Sequence, residues 1–363
     1  MTKSDINSKR QTTNFSCPSC GGAMNFKPGS DLLVCDYCQS TMDIENTENI
    51  IYEYDLDFTN ESIGHKWTDS RLFKCENCGA QTVLDENAHA ESCPFCNSSH
   101  IVEENSNDGI LPESVVPFEI SKKQSMSLFK SWIKSKFYAP NVLRKNANSG
   151  KLHGIYIPYW SYDANVKTNY IASRGVHYYV TKTRTVDGKT ETYQERKTRW
   201  TRVTGYYDHF FDDHLVHASK NMDEHLITEI RPFNLEKSTK YNPAYLAGFS
   251  AERYSVSLKD GWHYAVNEFQ STIDSGIESQ VGGDECIIKH KESDYSNLKY
   301  RHVLLPLWMS SYSYKDKKYT FLVNGQTGEV QGYYPKSIPK ILGTIALIGI
   351  IIGSIAYYFS VYH

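Results

Sequence analysis

Basic residues are scarce where the chain begins. Residues 1–110 hold 7 Lys and Arg against 18 Asp and Glu, a net charge of −11. Nucleic-acid binding rests on cations that neutralise phosphates, so this shortage argues against such a role for that segment. The first fourteen residues, MTKSDINSKRQTTN, lack an apolar stretch, and no secretory leader is visible. There is no G-x-x-x-x-G-K-[ST], no G-x-G-x-x-G and no G-x-S-x-G, which excludes a P-loop, a dinucleotide fingerprint and a hydrolase elbow. Beyond position 100 cysteine is absent apart from Cys286, and no long apolar run occurs before position 341.

What is present is strongly sorted. Eight of the nine cysteines lie before position 100, in pairs. Cys17-Pro-Ser-Cys20 and Cys35-Asp-Tyr-Cys38 are 14 residues apart; so are Cys75-Glu-Asn-Cys78 and Cys93-Pro-Phe-Cys96, at a 58-residue offset from the first set. Two cysteines three apart on a tight turn can aim both sulfurs at one ion, and two such turns complete a tetrahedral thiolate site. A disulfide framework is the competing reading, but it belongs with small secreted domains. The spacing predicts two zinc ribbons, with Cys17, Cys20, Cys35 and Cys38 as ligands of one zinc ion and Cys75, Cys78, Cys93 and Cys96 as ligands of a second. Iron is the runner-up for four soft thiolates. Closed four-ligand sites leave no position for water, so the expected role is structural. Gly21 and Gly79 follow the second cysteine, where a positive φ closes the turn.

Ile341–Phe359 carries no charge over 19 residues. As a helix it spans about 28 Å, close to the hydrocarbon thickness of a bilayer. A buried core helix is the alternative, disfavoured because little sequence follows that could cover it. Lys336 and Lys340 flank one end, and Tyr357, Tyr358 and Phe359 lie where an interfacial aromatic belt is expected. The positive-inside bias predicts a single-pass anchor in the cell membrane, with the bulk cytoplasmic and the C-terminus outside. That orientation also places the thiols in a reducing compartment.

The intervening sequence reads as an α+β domain: a twisted, mainly antiparallel sheet with two principal helices. Ser121 and Gln124 form a capping box ahead of Met126, Phe129, Ile133 and Phe137, with Pro140 as the stop. A second helix is expected over Leu258–Ser279, with Trp262, Val266, Phe269, Ile273 and Ile277 on one face. Val176–Val186 and Lys189–Trp200 flank Asp187-Gly188, a hairpin signal. Tyr319–Val323 and Glu329–Tyr333 flank a longer turn. Ile157-Pro-Tyr-Trp160 and Leu305-Pro-Leu-Trp308 share a pattern that suggests a diverged duplication. The expected organisation is a disordered 1–14, ribbon 15–45, linker 46–70, ribbon 71–104, α+β domain 105–335 and membrane anchor 336–363. Outside the ribbons, His209, His214 and His217 with Asp208, Asp212 and Asp213 form a dense polar cluster that neither helical nor strand periodicity brings to one face. Cys286 reads as a structural thiol. Lys182 to Arg202 holds seven basic residues against three acidic, either a solvated hairpin face or a contact for anionic lipid or an acidic partner.

The two CxxC…CxxC units, Val116-Pro-Phe118, Ile157-Pro-Tyr-Trp160 and Val323-Asn-Gly-Gln-Thr-Gly328 together resemble the bacterial membrane-anchored TFIIB-type zinc ribbon-containing proteins. The likeness runs from about Phe15 to Pro335. Two departures are Gly261, where such helices more often carry Ala, and Cys35-Asp-Tyr-Cys38, which lacks the usual Pro and Gly. The resemblance implies a non-enzymatic scaffold in a membrane-stress complex, with flotillin-like (SPFH) and phage-shock-type proteins as partners. The alternative is a nucleic-acid-binding regulator held at the membrane, which the charge of the ribbons disfavours.

Overall fold

The computed structural model describes residues 15–45, 50–57, 70–85, 93–95, 98–99, 101–104, 109–145, 152–186, 189–315 and 317–362. In chain order, β1 (Met24–Phe26), β2 (Leu32–Cys35) and β3 (Thr41–Asp43) form a three-stranded antiparallel sheet. β4 (Tyr54–Asp55) follows, then β5 (Ser70–Cys75), β6 (Gln81–Asp85) and β7 (Ile101–Glu104). Next come β8 (Ser114–Val115), α1 (Lys122–Ser135) and α2 (Asn141–Lys145). A very long hairpin, β9 (His153–Val186) and β10 (Lys189–His217), leads to α3 (Glu224–Glu229), β11 (Thr239–Lys240) and β12 (Ser250–Glu252). The chain ends with α4 (Leu258–Val281), β13 (Glu285–Tyr314), β14 (Lys317–Asn324), β15 (Val330–Gly332) and α5 (Ile338–Tyr362).

Among the described residues, all strands after β3 join one sheet, in the order β11-β8-β13-β9-β12-β6-β5-β7, with β10 beside β9, β14 beside β13, β15 beside β14 and β4 beside β13. The sheet is mixed: β8 runs parallel to β13 and β12 parallel to β9. At its centre Ile155–Ala164 is buried without a break, as expected of strands covered on both faces. Alternate residues serve opposite layers. Ile155, Ile157 and Tyr159 pack with Leu226, Ile227 and Ile230 of the α3 region. Tyr156 packs with Phe129 and Ile133 of α1, while Trp160 and Tyr162 meet α4.

The paired Pro-x-Trp motifs are related by symmetry in space. Ile157 pairs directly with Leu305 across the β9–β13 junction. Each motif belongs to a short strand, a helix, a long strand and a hairpin return: β8-α1-β9-β10 and β12-α4-β13-β14. Trp160 Nε1–H donates to Val256 O at 3.0 Å, one residue before Ser257, the N-cap of α4. Trp308 Nε1–H donates to Ile120 O at 2.7 Å, one residue before Ser121, the N-cap of α1. The equivalent tryptophan of each half thus ties the helix start of the other half to the sheet.

Both helices follow their sequence signals, with one correction. The Ser121–Gln124 capping box is formed, and Phe129 and Ile133 are buried. However, α1 ends at Ser135 rather than at Pro140, because Lys136 takes an extended backbone. Phe137 therefore leaves the apolar face and is 62% exposed. The long hairpin closes where expected, with Val186 paired to Lys189; Asp187-Gly188 itself lies outside the described residues. The α5 segment Ile338–Phe359 is long and apolar enough to cross a membrane, and none of it is buried against the protein.

Candidate metal centres

The first centre is built from two turns that share a backbone design. Cys17 N–H donates to Gly22 O at 2.7 Å and Gly21 N–H donates to Cys17 O at 2.8 Å, with Gly21 at φ +72°. Cys35 N–H donates to Ser40 O and Gln39 N–H to Cys35 O, both at 3.0 Å. Here Gln39 takes φ +61°, held by its own amide on Asp36 O at 3.1 Å. The missing glycine of this turn is thus replaced by a residue whose side chain stabilises the same left-handed backbone.

These turns bring the four sulfurs of Cys17, Cys20, Cys35 and Cys38 within 4.8 Å of one another. Cys17 Sγ lies 3.4 Å from Cys38 Sγ and Cys20 Sγ lies 3.5 Å from Cys35 Sγ. Sulfurs on a zinc tetrahedron of about 2.3 Å bonds stand about 3.8 Å apart, whereas a disulfide needs about 2.05 Å. Cys17 and Cys35 are buried, and Cys20 and Cys38 face outward. The Ser40 hydroxyl, 3.2 Å from Cys38 Sγ, and then the Ser40 amide lower that thiol to about 6. Cys20 is pushed up to about 12: the Gly22 amide favours its thiolate, but the sulfurs of Cys38 and Cys35 outweigh it. Four sulfurs this close cannot all be thiolates without a cation between them, and the donor set fits a thiophilic metal ion.

The second centre repeats the pattern. Cys75 N–H donates to Ala80 O, Gly79 N–H to Cys75 O and Cys93 N–H to Ser98 O, with Gly79 at φ +77°. Cys75, Cys78 and Cys93 lie within 4.8 Å of one another, and Cys78 Sγ is 3.6 Å from Cys93 Sγ. Cys96 falls outside the described residues.

One segment of the α+β body contacts both cysteine-bearing sheets, and Gly29 N–H adds a bond to Phe118 O at 2.8 Å. Phe26 N–H donates to Ala247 O at 2.9 Å, and the Phe26 ring meets Tyr245 edge-on at 5.2 Å. Four residues on, β12 pairs with β6, Ala251 opposite Val83 and Glu252 opposite Thr82.

The other sequence candidates disperse. His209 meets Tyr207 Oη at 3.2 Å, His214 pairs with Glu268 at 3.0 Å and His217 meets the Tyr159 ring edge-on at 5.3 Å. No histidine belongs to a metal-holding group among the described residues. His217 lines a cavity of about 510 Å³ with Arg231, Met222 and Glu268, and burial, followed by the Arg231 charge, lowers it to about 3. Asp208 and Asp212 are exposed. Asp213 sits in a β-bulge at φ +52° and receives Ser161 Oγ–H at 2.8 Å and the Arg301 guanidinium. Its carboxylate joins Glu53 and Asp163 in a group that sequence spacing gave no sign of; the register of β9, β10 and β13, with β4 laid beside β13, assembles it. Burial raises Asp163 to about 6. Cys286 is half-buried, its thiol raised by burial. Val323–Gly328 is a structural turn: the buried Asn324 amide donates to Ile230 O and Pro232 O while its Oδ1 caps Gln326 and Thr327.

No family model and no solved structure matches the chain. It is similar to the uncharacterized protein YdjG of Bacillus subtilis (strain 168), 29% identical over 338 residues. The alignment covers 90% of this chain and 92% of that relative. A match of that extent takes in far more than the cysteine segments. The likeness is therefore one of whole-chain organisation.

Proposed function

We propose that this protein is a non-enzymatic adaptor, tethered to the cell membrane by α5, that presents two zinc ribbons to cytoplasmic partner proteins. The observation that carries the reading is the combination on one chain of two cysteine clusters able to hold metal ions with an apolar helix none of whose residues is buried in the protein. The helix favours a bilayer as its solvent, and the centres favour structural zinc. A net charge of −11 over residues 1–110 suits basic protein surfaces better than phosphate backbones. Partners of the flotillin-like and phage-shock type follow from the resemblance drawn above.

Affinity capture of the full chain from detergent-solubilised membranes, alone and with Cys75→Ser and Cys78→Ser together, tests this. The double variant is expected to lose one metal ion per chain and its partners while staying in the membrane fraction. Undiminished partner recovery from a variant that has lost its metal would move the binding surface away from the second ribbon. Tight retention of the wild-type chain on heparin or DNA at physiological salt would favour a nucleic-acid regulator instead. A reporter fused after His363 is expected to read as extracytoplasmic; a cytoplasmic signal would reverse the orientation.

A further inference from the structure

The root of α5 is clamped to the body rather than hung from a linker. Only residues 333–337 separate β15 from α5, and each end of this short stretch is held. Tyr312 Oη–H donates to Tyr333 O at 3.0 Å, the Tyr334 ring meets Trp132 edge-on at 5.9 Å, and Pro335 is buried. Ser337 N–H donates to Tyr138 O at 2.8 Å. Lys340 Nζ then donates to Phe137 O at 2.9 Å and Ala139 O at 2.8 Å, in the connection between α1 and α2. With α5 crossing a bilayer, this connection cannot stand off from the membrane surface.

The chemistry of that surface matches its position. Lys122 to Lys145 contains seven basic residues and no acidic one. Lys130, Lys134 and Lys336 are exposed. Two large apolar side chains of the same stretch are exposed, Phe137 at 62% and Val142 at 65%, as is Ile338 at the start of α5, and Lys340 Nζ lies 5.6 Å from the centre of the Phe137 ring. Cations around protruding apolar groups suit the headgroup layer, where apolar tips enter the acyl boundary and lysines meet phosphates. The basic hairpin is a poorer candidate. Arg184 pairs with Glu191 and Lys182 with Glu195. It also leaves the sheet beyond Gly175, which pairs with Glu285, whereas the α5 root lies by Tyr312. That is about 90 Å away along β13.

We propose that the surface around the α5 root, formed by Lys130, Lys134, Phe137, Val142 and Lys336, binds the headgroups of anionic phospholipids and lays the body directly on the inner leaflet. The inference rests on α5 being a membrane anchor and adds a lipid preference and a fixed posture to it.

The test uses the full chain in nanodiscs of phosphatidylcholine with or without phosphatidylglycerol, with brominated acyl chains. Phe137→Trp places a fluorophore at the patch, read as the difference from wild type, and Val142→Trp gives an independent reporter. Quenching is expected in both, stronger with phosphatidylglycerol. The extra quenching should be lost when Lys130, Lys134 and Lys336 are all changed to Gln, since each basic residue contributes roughly fivefold to binding an anionic surface. Unquenched reporters in a chain that still resists carbonate extraction would overturn the lipid-facing surface and leave the anchor standing. Equal quenching with and without phosphatidylglycerol would overturn the anionic preference. Extraction of the chain by carbonate would remove the anchor and this surface together.

Discussion

Glu252 has no exposed surface, yet it is the pairing partner of Thr82 at the seat of the second cysteine cluster. Its Oε1 accepts hydrogen bonds from Ser219 Oγ and from Asn221 Nδ2, while its buried Oε2 has no partner among the described residues. Burial raises this carboxyl to about 7, against the two donors that oppose it. A raised acid holds its proton in the folded chain at a pH where the unfolded chain has lost it. Its contribution is therefore complete below about pH 4.5 and lost as pH rises through 7. Glu252→Gln is expected to be more stable than wild type at pH 8, by about 3 kcal/mol at most, with the difference shrinking towards pH 5. Thermal melts of the full chain in detergent at both pH values check this; acid loss of metal affects both proteins alike. A difference that grows on acidification would contradict the assignment. At the same scale Gln39 shows a limit of sequence reading. A glycine after CxxC announces a positive φ, but Gln39 reaches it through a hydrogen bond that spacing does not reveal.

Among the elements, α4 shows how a helix is adjusted to what it covers. Its apolar stripe, Trp262, Val266, Phe269, Ile273 and Ile277, is legible from periodicity; Val266 is half-buried and the other four are buried. Gly261 is a poor helix former, and nothing in the linear sequence explains it. In space, a Cβ there would lie 2.5 Å from Tyr162 Oη and 2.7 Å from Trp160 Cδ1. Tyr162 Oη–H is itself committed to Leu258 O at 2.7 Å, and Trp160 to Val256 O, so neither ring can retreat cheaply. Gly261→Ala gains about 1 kcal/mol of helix propensity but forces an overpacked contact that costs about 1–3 kcal/mol. A net loss of up to about 2 kcal/mol is expected in denaturant melts, and an Ala variant more stable than wild type would mean that the two rings are free to move. The end of α1 illustrates the reverse case. Periodicity carried the apolar face through Phe137, whereas the chain turns at Lys136, whose ammonium sits 4.8 Å from the centre of the Trp132 ring.

For the molecule as a whole, the metal centres and the sheet are one construction. Read along the chain, the ribbons look like separate beads. In space, residues 239–253 hold both: Tyr245 and Ala247 receive Phe26 of the first, and β12 receives β6 of the second. Leu72 and Val83 pack against Leu111 and Tyr241, so the strands of the second cysteine cluster share apolar contacts with the body as well. Structural zinc contributes on the order of 10–16 kcal/mol to modules this small. Elemental analysis of the purified full chain is expected to give two zinc ions, one per ribbon. One ion, or a different metal at full occupancy, would revise the assignment. Chelation is also expected to lower the melting temperature of the α+β body, because the β6–β12 pairing is lost with the second ion.

The order of the parts was open to reading in one dimension. Cysteine spacing, a charge-free C-terminal run, a capping box and a two-residue turn between strands are all local patterns, and local geometry enforces them. Nothing local predicts that Ile157 meets Leu305, that Asp163 and Asp213 are brought together, or that Phe137 emerges beside the root of α5. Those positions are set by strand register across nearly 150 residues and by bulges that shift it at Phe211/His214, Ile288/His290 and Ser296/Lys299. Since a one-residue slip exchanges the two faces of a strand, only the assembled sheet, with both faces covered, could decide which side chains share a site.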